Sequence, residues 1–216
     1  MADKRRYFEK VDTEDVMVDI ETLGTSDTAV ILSIGAIRFN PFSSDKVFDE
    51  KEGKILCPSF YRVIHRETQR GRTIDRSTEE WWDHPERAEA KKQIVEYPDK
   101  VHLVDALDDL WEFMKGCKKG WGCAPSFDQS ILGNAMEMYG INKLKGNRNP
   151  LPIPFWDEMD VRTVENFVFG KKHRADIRKG TYHNALDDCV TQAMMVKQAA
   201  AIVEAGRKAL GDVLGV

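Results

Sequence analysis

The sequence predicts an α/β domain with a mixed central β-sheet and flanking helices. Three observations carry that expectation. Two apolar β-type runs, at residues 16–20 and 30–39, lie close together near the N-terminus. Helix-periodic segments dominate from about residue 77 onward, with some strand-like runs between them. The chain has 216 residues, 42% of them hydrophobic, which suits one domain around one sizeable core.

The elements follow in order. Residues 16–20, Val-Met-Val-Asp-Ile, form a short strand that closes in the polar turn 21–25. The run 30–39, rich in Ile and Val and closed by Asn40-Pro41, pairs with it as a hairpin of central strands. Residues 60–65 read as a third strand, with Tyr61, Val63 and His65 alternating against Phe60, Arg62 and Ile64. Ser77 followed by Glu80 is a capping-box signature, so a helix is expected through Trp81-Trp82 until Pro85, with another over 86–95. Val104, Leu107, Leu110, Trp111 and Met114 mark one apolar face of a helix over 101–115. Gly120-Trp121-Gly122 reads as a short strand or turn, and Ser126 as the cap of a helix that Gly140 ends. Residues 142–154 read as a loop, 155–161 as a strand leading into a helix from Thr163, and 171–182 as a basic loop. The Ala-rich stretch from Asn184 to about Ala205 is the final helix.

Composition excludes several classes. Mean hydropathy is -0.48, and no apolar run approaches the ~18 residues of a membrane span. The N-terminus is charged from the third residue and carries no signal-peptide pattern. The four cysteines show neither C-x-x-C nor zinc-site spacing, which suggests a reducing, cytoplasmic compartment. A net charge of -4 argues against a binder that relies on a broad basic surface.

The chemistry lies in three short segments. Asp19 and Glu21 are two apart at a strand end, so both side chains point to one face. Asp12 and Glu14 share that spacing but sit in a polar stretch with no apolar strand behind them. Asp128, after Phe127, stands in the first turn of a helix. The other Phe-Asp pair, Phe48-Asp49, runs into a charged stretch and is set aside. His183 is the one histidine of five with a small residue two positions on and an Asp five positions on. Asp187 competes with Asp188, and about 100° separates the two on a helix. Each segment alone is weak.

Together, and in this order, Val18-Asp19-Ile20-Glu21-Thr22, Ser126-Phe127-Asp128 and His183-x-Ala185-x-x-Asp188 resemble the motifs of the DEDDh (DnaQ-like) 3′–5′ exonucleases. Gly120-Trp121-Gly122-Cys123, Phe155-Trp156, Asp160-Val161-Arg162-Thr163 and Glu80-Trp81-Trp82 extend the similarity to the T4-type phage exonuclease A group and related small exoribonucleases. The resemblance spans roughly residues 14–200. It implies an RNase H-like fold in a single exonuclease domain over 1–216, with a charged N-terminal arm and a helical tail. The implied location is cytoplasmic, in the host for a phage-encoded chain.

The resemblance also implies roles. Asp19, Glu21, Asp128 and Asp188 would hold two divalent ions, Mg²⁺ or Mn²⁺, and Asp19 would bridge them. Hard cations of this kind prefer oxygen ligands, and four bare converging carboxylates would repel one another. His183 would be the general base on the attacking water. Asp188 is preferred to Asp187 by the family spacing. Thr22 and Leu23 would touch the 3′-terminal nucleotide, and Phe127 would stack a base. Arg162, Arg174 and Lys179 would meet the phosphate backbone of single-stranded nucleic acid; the last two lie in a 171–179 segment with five Lys/Arg and one Asp. Many members carry Asn where this chain has Ala124. DNA is the expected substrate, with RNA the alternative. A nucleic-acid-binding or proofreading accessory subunit and an RNase H-like endonuclease are the competing classes. Either the 142–154 loop or the C-terminal helix offers a homodimer surface, so oligomeric state stays open.

Overall fold

A computed structural model describes residues 14–141, 150–170 and 172–214. The N-terminal arm, most of the expected 142–154 loop, and Lys171 of the basic segment lie outside the described residues.

The central sheet has five strands in the order β5-β2-β1-β6-β7. Strand β1 (Asp15–Thr22) pairs antiparallel with β2 (Ile31–Phe39), and β2 pairs antiparallel with β5 (Ser59–Val63). On its other side β1 runs parallel to β6 (Gly120–Gly122), which runs parallel to β7 (Glu158–Asp160). A separate ribbon, β3 (Phe48–Asp49) with β4 (Lys54–Ile55), was not expected from the sequence. The helices are α1 (Arg76–Trp82), α2 (Ala88–Val95), α3 (Leu103–Met114), α4 (Pro125–Met138), α5 (Val161–Phe169) and α6 (Ala185–Leu214). None is long and apolar enough to cross a membrane.

Strand alternation divides the core. Val16, Val18 and Ile20 face a cluster with Leu103, Leu107, Leu110, Ile131, Leu132 and Met136 of α3 and α4. Met17 points the other way, into a cluster with Trp121, Val161, Cys189, Val190, Ala193 and Val196, beneath α5 and α6. Asp19 and Glu21 continue the Met17 face by the same two-residue period. The hydrophobic pattern that buries Val16, Val18 and Ile20 therefore aims both carboxylates at α5 and α6.

Several local expectations are corrected. Asp75, not Ser77, precedes α1, and its carboxylate accepts from the Thr25 amide at 3.0 Å while making no cap bond. Ser126 lies inside α4, which starts at Pro125 after Ala124 in the left-handed region at φ 69°. Val104 is 42% exposed, because the buried face of α3 centres on Leu103, Leu107, Leu110 and Met114. Residues 155–157 form a single 3₁₀ turn, so the expected strand shrinks to β7. Helix α5 begins two residues early, capped by Asp160 accepting from the amides of Arg162 and Thr163. The final helix runs past Ala205 to Leu214.

Gly35 joins sheet to helix. It stands opposite Asp19 in the β1–β2 register, and the backbone of Ala185 at the start of α6 sits directly over it. A Cβ at Gly35 would lie 2.3 Å from the Ala185 carbonyl carbon, a backbone clash that no rotamer relieves. Gly35→Ala is expected to lower stability by about 1–3 kcal/mol. A urea unfolding midpoint equal to wild type would contradict this close approach.

Candidate active site

Strands β1, β6 and β7 are mutually parallel, so their carboxyl ends open at one edge of the sheet. Asp19 and Glu21 end β1. Cys123 and the α4 residues Phe127 and Asp128 follow β6. Asp160, Arg162 and Glu165 follow from β7 into α5. A cleft of about 920 Å³ opens there, lined by Asp19, Glu21, Asp128, His183 and Asp188. Chain segments separated by more than 160 residues thus deliver four carboxylates and one imidazole to one place.

Each carboxylate has a named restraint. Asp128 accepts from the Ile20 amide at 3.2 Å, which ties α4 to β1. Asp19 accepts from Gln192 Nε2 at 3.0 Å. Gln192 lies one helical turn after Asp188 and shares its face of α6. Asp188 is paired with Arg178 and also accepts from the His183 amide at 3.1 Å. Asp187 turns away from the cleft. Its carboxylate accepts from the Thr181 amide at 2.7 Å and packs on Gly180, a left-handed residue at φ +60°, filling the space a Cβ there would need.

Electrostatics at the site are adverse in the bare protein. Burial, then the charges of Asp188, Asp128 and neighbouring Glu21, hold the Asp19 carboxyl well above the usual carboxylate range. Burial and the same two aspartates do likewise for Glu21. Burial pushes Asp128 up to about 7, against the pull of the Ile20 amide. Asp188 is also raised by burial, with Arg178 opposing. Burial, then Arg87 and Arg178, push the His183 imidazole down to about 4. The ring is therefore neutral near pH 7 in the bare protein, and the same burial weakens its hold on a proton.

The donor chemistry suits a hard divalent cation. One ligand atom each from Glu21, His183 and Asp188 falls within 4.8 Å of the others, with Asp19 and Asp128 in the same cleft. Closely placed oxygens that resist ionisation are what a divalent charge relieves.

The remaining expected residues divide. Phe127 lines both the main cleft and an adjoining pocket of about 400 Å³ with Thr22, Trp81 and Trp82. The Thr22 hydroxyl donates to the Gly24 carbonyl at 2.7 Å, and its own carbonyl accepts from Trp82 Nε1 at 2.9 Å. Arg162 and Arg174 line the cleft, and both donate to Cys123 Sγ. Glu165, only 1% exposed, holds Arg174 by its amide and its Nε.

Two residues depart from expectation. Leu23 is buried with Val30, Val63 and Trp82, because the turn after β1 directs it into that cluster and away from the cleft. Lys179 pairs with Glu50 of the β3–β4 ribbon at 2.7 Å and does not line the cleft. Sequence reasoning assigned no individual role to Arg178, Gln192, Glu165, Trp81 or Trp82, although Arg178 lies in the basic 171–179 segment and Trp81-Trp82 in one of the quoted similarities. Gln192 offered a further local signal, one helical turn beyond Asp188.

The buried carboxyls make stability depend on pH. Each binds its proton more tightly folded than unfolded. The stability they supply is whole below the unfolded carboxylate range, about pH 4, and is lost as pH rises through the folded values, about 7 for Asp128. In EDTA the melting temperature is therefore expected to fall by several degrees between about pH 5 and about pH 8. Millimolar Mg²⁺ or Mn²⁺ is expected to reverse the fall. A flat EDTA profile by scanning fluorimetry would contradict mutual carboxylate repulsion.

Comparison with known proteins agrees with this geometry. A family model described as the 3′–5′ exoribonuclease Rv2179c-like domain matches residues 14–200. An exodeoxyribonuclease of Enterobacteria phage T4 is 27% identical over 207 residues, covering 86% of this chain and 88% of that protein. The nuclease domain of 3′hExo, a DEDDh family member solved with rAMP, has a similar fold. Its TM-score is 0.55 at 10% identity, over 92% of this chain and 96% of that one. E. coli ExoI, solved with single-stranded DNA and zinc, gives a TM-score of 0.54 at 11% identity, over 86% of this chain and 40% of that one. The five-stranded mixed sheet is thus RNase H-like. With its family matched over residues 14–200, the chain belongs to the Rv2179c-like 3′–5′ exoribonuclease domain family and is a 3′–5′ exonuclease.

Proposed function

We propose that the protein is a divalent-metal-dependent 3′–5′ exonuclease that releases nucleoside 5′-monophosphates from single-stranded ends. The observation that carries this reading is the meeting of Asp19, Glu21, Asp128 and Asp188 beside one neutral imidazole. Those four carboxylates would hold two divalent ions, Mg²⁺ or Mn²⁺. When bound, the ions offset the negative charge that builds on the attacking and leaving oxygens of a phosphodiester.

The chain's own residues do the rest. His183 accepts one proton of the attacking water at an imidazole nitrogen, the water oxygen bonds to phosphorus, the bond from phosphorus to the O3′ of the shortened strand breaks, and that O3′ takes a proton from solvent to become the new 3′-hydroxyl. The terminal base fits the pocket of Trp81, Trp82 and Phe127, whose aromatic faces accept any base. Upstream phosphates lie along Arg162, Lys172 and Arg174 on the far wall of the cleft. A wall built from aromatic faces and guanidinium groups reads strand ends, not sequence.

DNA is the proposed preferred substrate, supported by the T4 relative, which acts on DNA by its name. RNA is the second reading, supported by the family description. Ser77 and Thr78 place hydroxyl-bearing side chains on the terminal-nucleotide pocket, where a 2′-hydroxyl would be read. Matched single-stranded DNA, RNA and duplex oligonucleotides decide the order. A faster rate on RNA would overturn the DNA preference and leave the chemistry intact.

A 5′-labelled strand is expected to give a shortening ladder with Mg²⁺ or Mn²⁺ and none in EDTA. Circular single strands should survive. Asp19→Asn and Asp188→Asn should bring activity to background, whereas Asp187→Asn should retain most of it. If Asp187→Asn is dead and Asp188→Asn is active, the ligand assignment is wrong. His183→Asn should lower kcat by about 10²–10⁴-fold with metal affinity preserved. A large loss of metal affinity in that variant would make His183 a ligand instead of the base.

A further inference from the structure

His183 has no ordinary means of orientation. Among the described residues, no group hydrogen-bonds its ring; its backbone amide alone bonds Asp188. Its φ is +66°, a left-handed conformation that side chains with a Cβ rarely adopt. A general base normally has a second nitrogen fixed by a carboxylate or a carbonyl. Here aromatic rings surround it. Trp81 meets the imidazole edge-on at 4.7 Å, Tyr182 lies against it at 3.9 Å, and Trp82 stands at 6.3 Å.

The aromatic stack ends in cations. The Arg178 guanidinium lies 4.4 Å from the Tyr182 ring centre and pairs with Asp188. At the other end the Arg87 guanidinium lies 3.9 Å from the ring centre of Trp81. Arg87 closes a 3₁₀ turn opened by Pro85, which pins the backbone beneath it. Its Nε is buried with no hydrogen-bond partner. A guanidinium turned outward would recover water at that nitrogen, so contact with the indole is what retains it. Trp81 is itself 37% exposed and needs such a backing to stay against His183.

We infer that Arg87 is a positioning residue for the exonuclease reaction: by backing Trp81 it holds the His183 imidazole toward the attacking water. The inference rests on the reading of His183 as base. Arg87 lines neither the carboxylate cleft nor the terminal-nucleotide pocket, so it does not touch substrate, and its packing contact is with Trp81.

The test is a double-mutant cycle on Arg87 and Trp81, read by kcat, KM and the His183 ring-proton resonance. The resonance is assigned by its loss in His183→Asn. Arg87→Met is expected to lower kcat about twofold to tenfold, with KM within twofold of wild type. The His183 resonance should lose part of its ring-current shift. Arg87→Lys, which keeps the charge without the planar contact, should recover only part of kcat. In a Trp81→Leu background, Arg87→Met should add little, because the two act as one unit. Additive effects, a raised KM with kcat unchanged, or wild-type behaviour throughout would each overturn the inference. If Arg87→Met does not fold, Arg87→Lys carries the same cycle. Wild-type kcat in His183→Asn would instead defeat the His183 reading itself, so the two failures are separable.

Discussion

Burial of Asp19, Glu21, Asp128 and Asp188 in one cleft, sharpened by the repulsion among them, is the constraint around which this structure is arranged. Four carboxyls buried within one cleft resist ionisation, and the Asp128 carboxyl is pushed up to about 7. The surrounding groups are those that make the cluster tolerable: the Ile20 amide on Asp128, Gln192 on Asp19, and Arg178 with the His183 amide on Asp188. Divalent cations would complete that compensation. The net charge of -4 then takes on a location. It equals the formal charge of the four proposed ligands when all are ionised, and the rest of the chain sums to zero.

Delivery of these groups depends on the parallel half of the sheet. Because β1, β6 and β7 point the same way, a strand end, a helix start and a capped helix start converge without any long loop. The antiparallel half has a different task. Its Gly35 lets α6 descend onto β2, opposite Asp19, and that close approach sets the depth at which Asp188 and Gln192 enter the cleft. A packing requirement on one residue without a side chain thereby governs a carboxylate 153 residues later. The aromatic wall of α1 closes the opposite side. Trp82 is anchored by its indole N–H on the Thr22 carbonyl, which ties α1 to the end of β1.

Much of this was legible in the residues. The apolar alternation of β1 fixes the direction of Asp19 and Glu21 once one face is buried, since the period of a strand is two. The central hairpin, the apolar helix α3 and the final helix were readable from periodicity. Helix starts were less so. The Ser77 and Ser126 signals were overridden, at the second by Pro125, which already has the dihedral a first helical residue needs. Ala124 in the left-handed region, with its amide bonded to Asp160, has no sequence signature either.

The sequence by itself put forward the candidate carboxylates and histidine and the kind of element each stands on. Each short spacing was weak alone, and the set was singled out by the resemblance of three motifs in order, with local geometry fixing only that residues i and i+2 of a strand share a face. Only the tertiary structure decided what surrounds them. That Arg178 would face Asp188, that Glu165 would hold Arg174, that Lys179 would turn to Glu50, and that Trp81 would lie between Arg87 and His183 all depend on contacts between distant segments. No spacing rule encodes such pairs. They exist because packing on both faces of one twisted sheet brings separate helices and loops to the same edge.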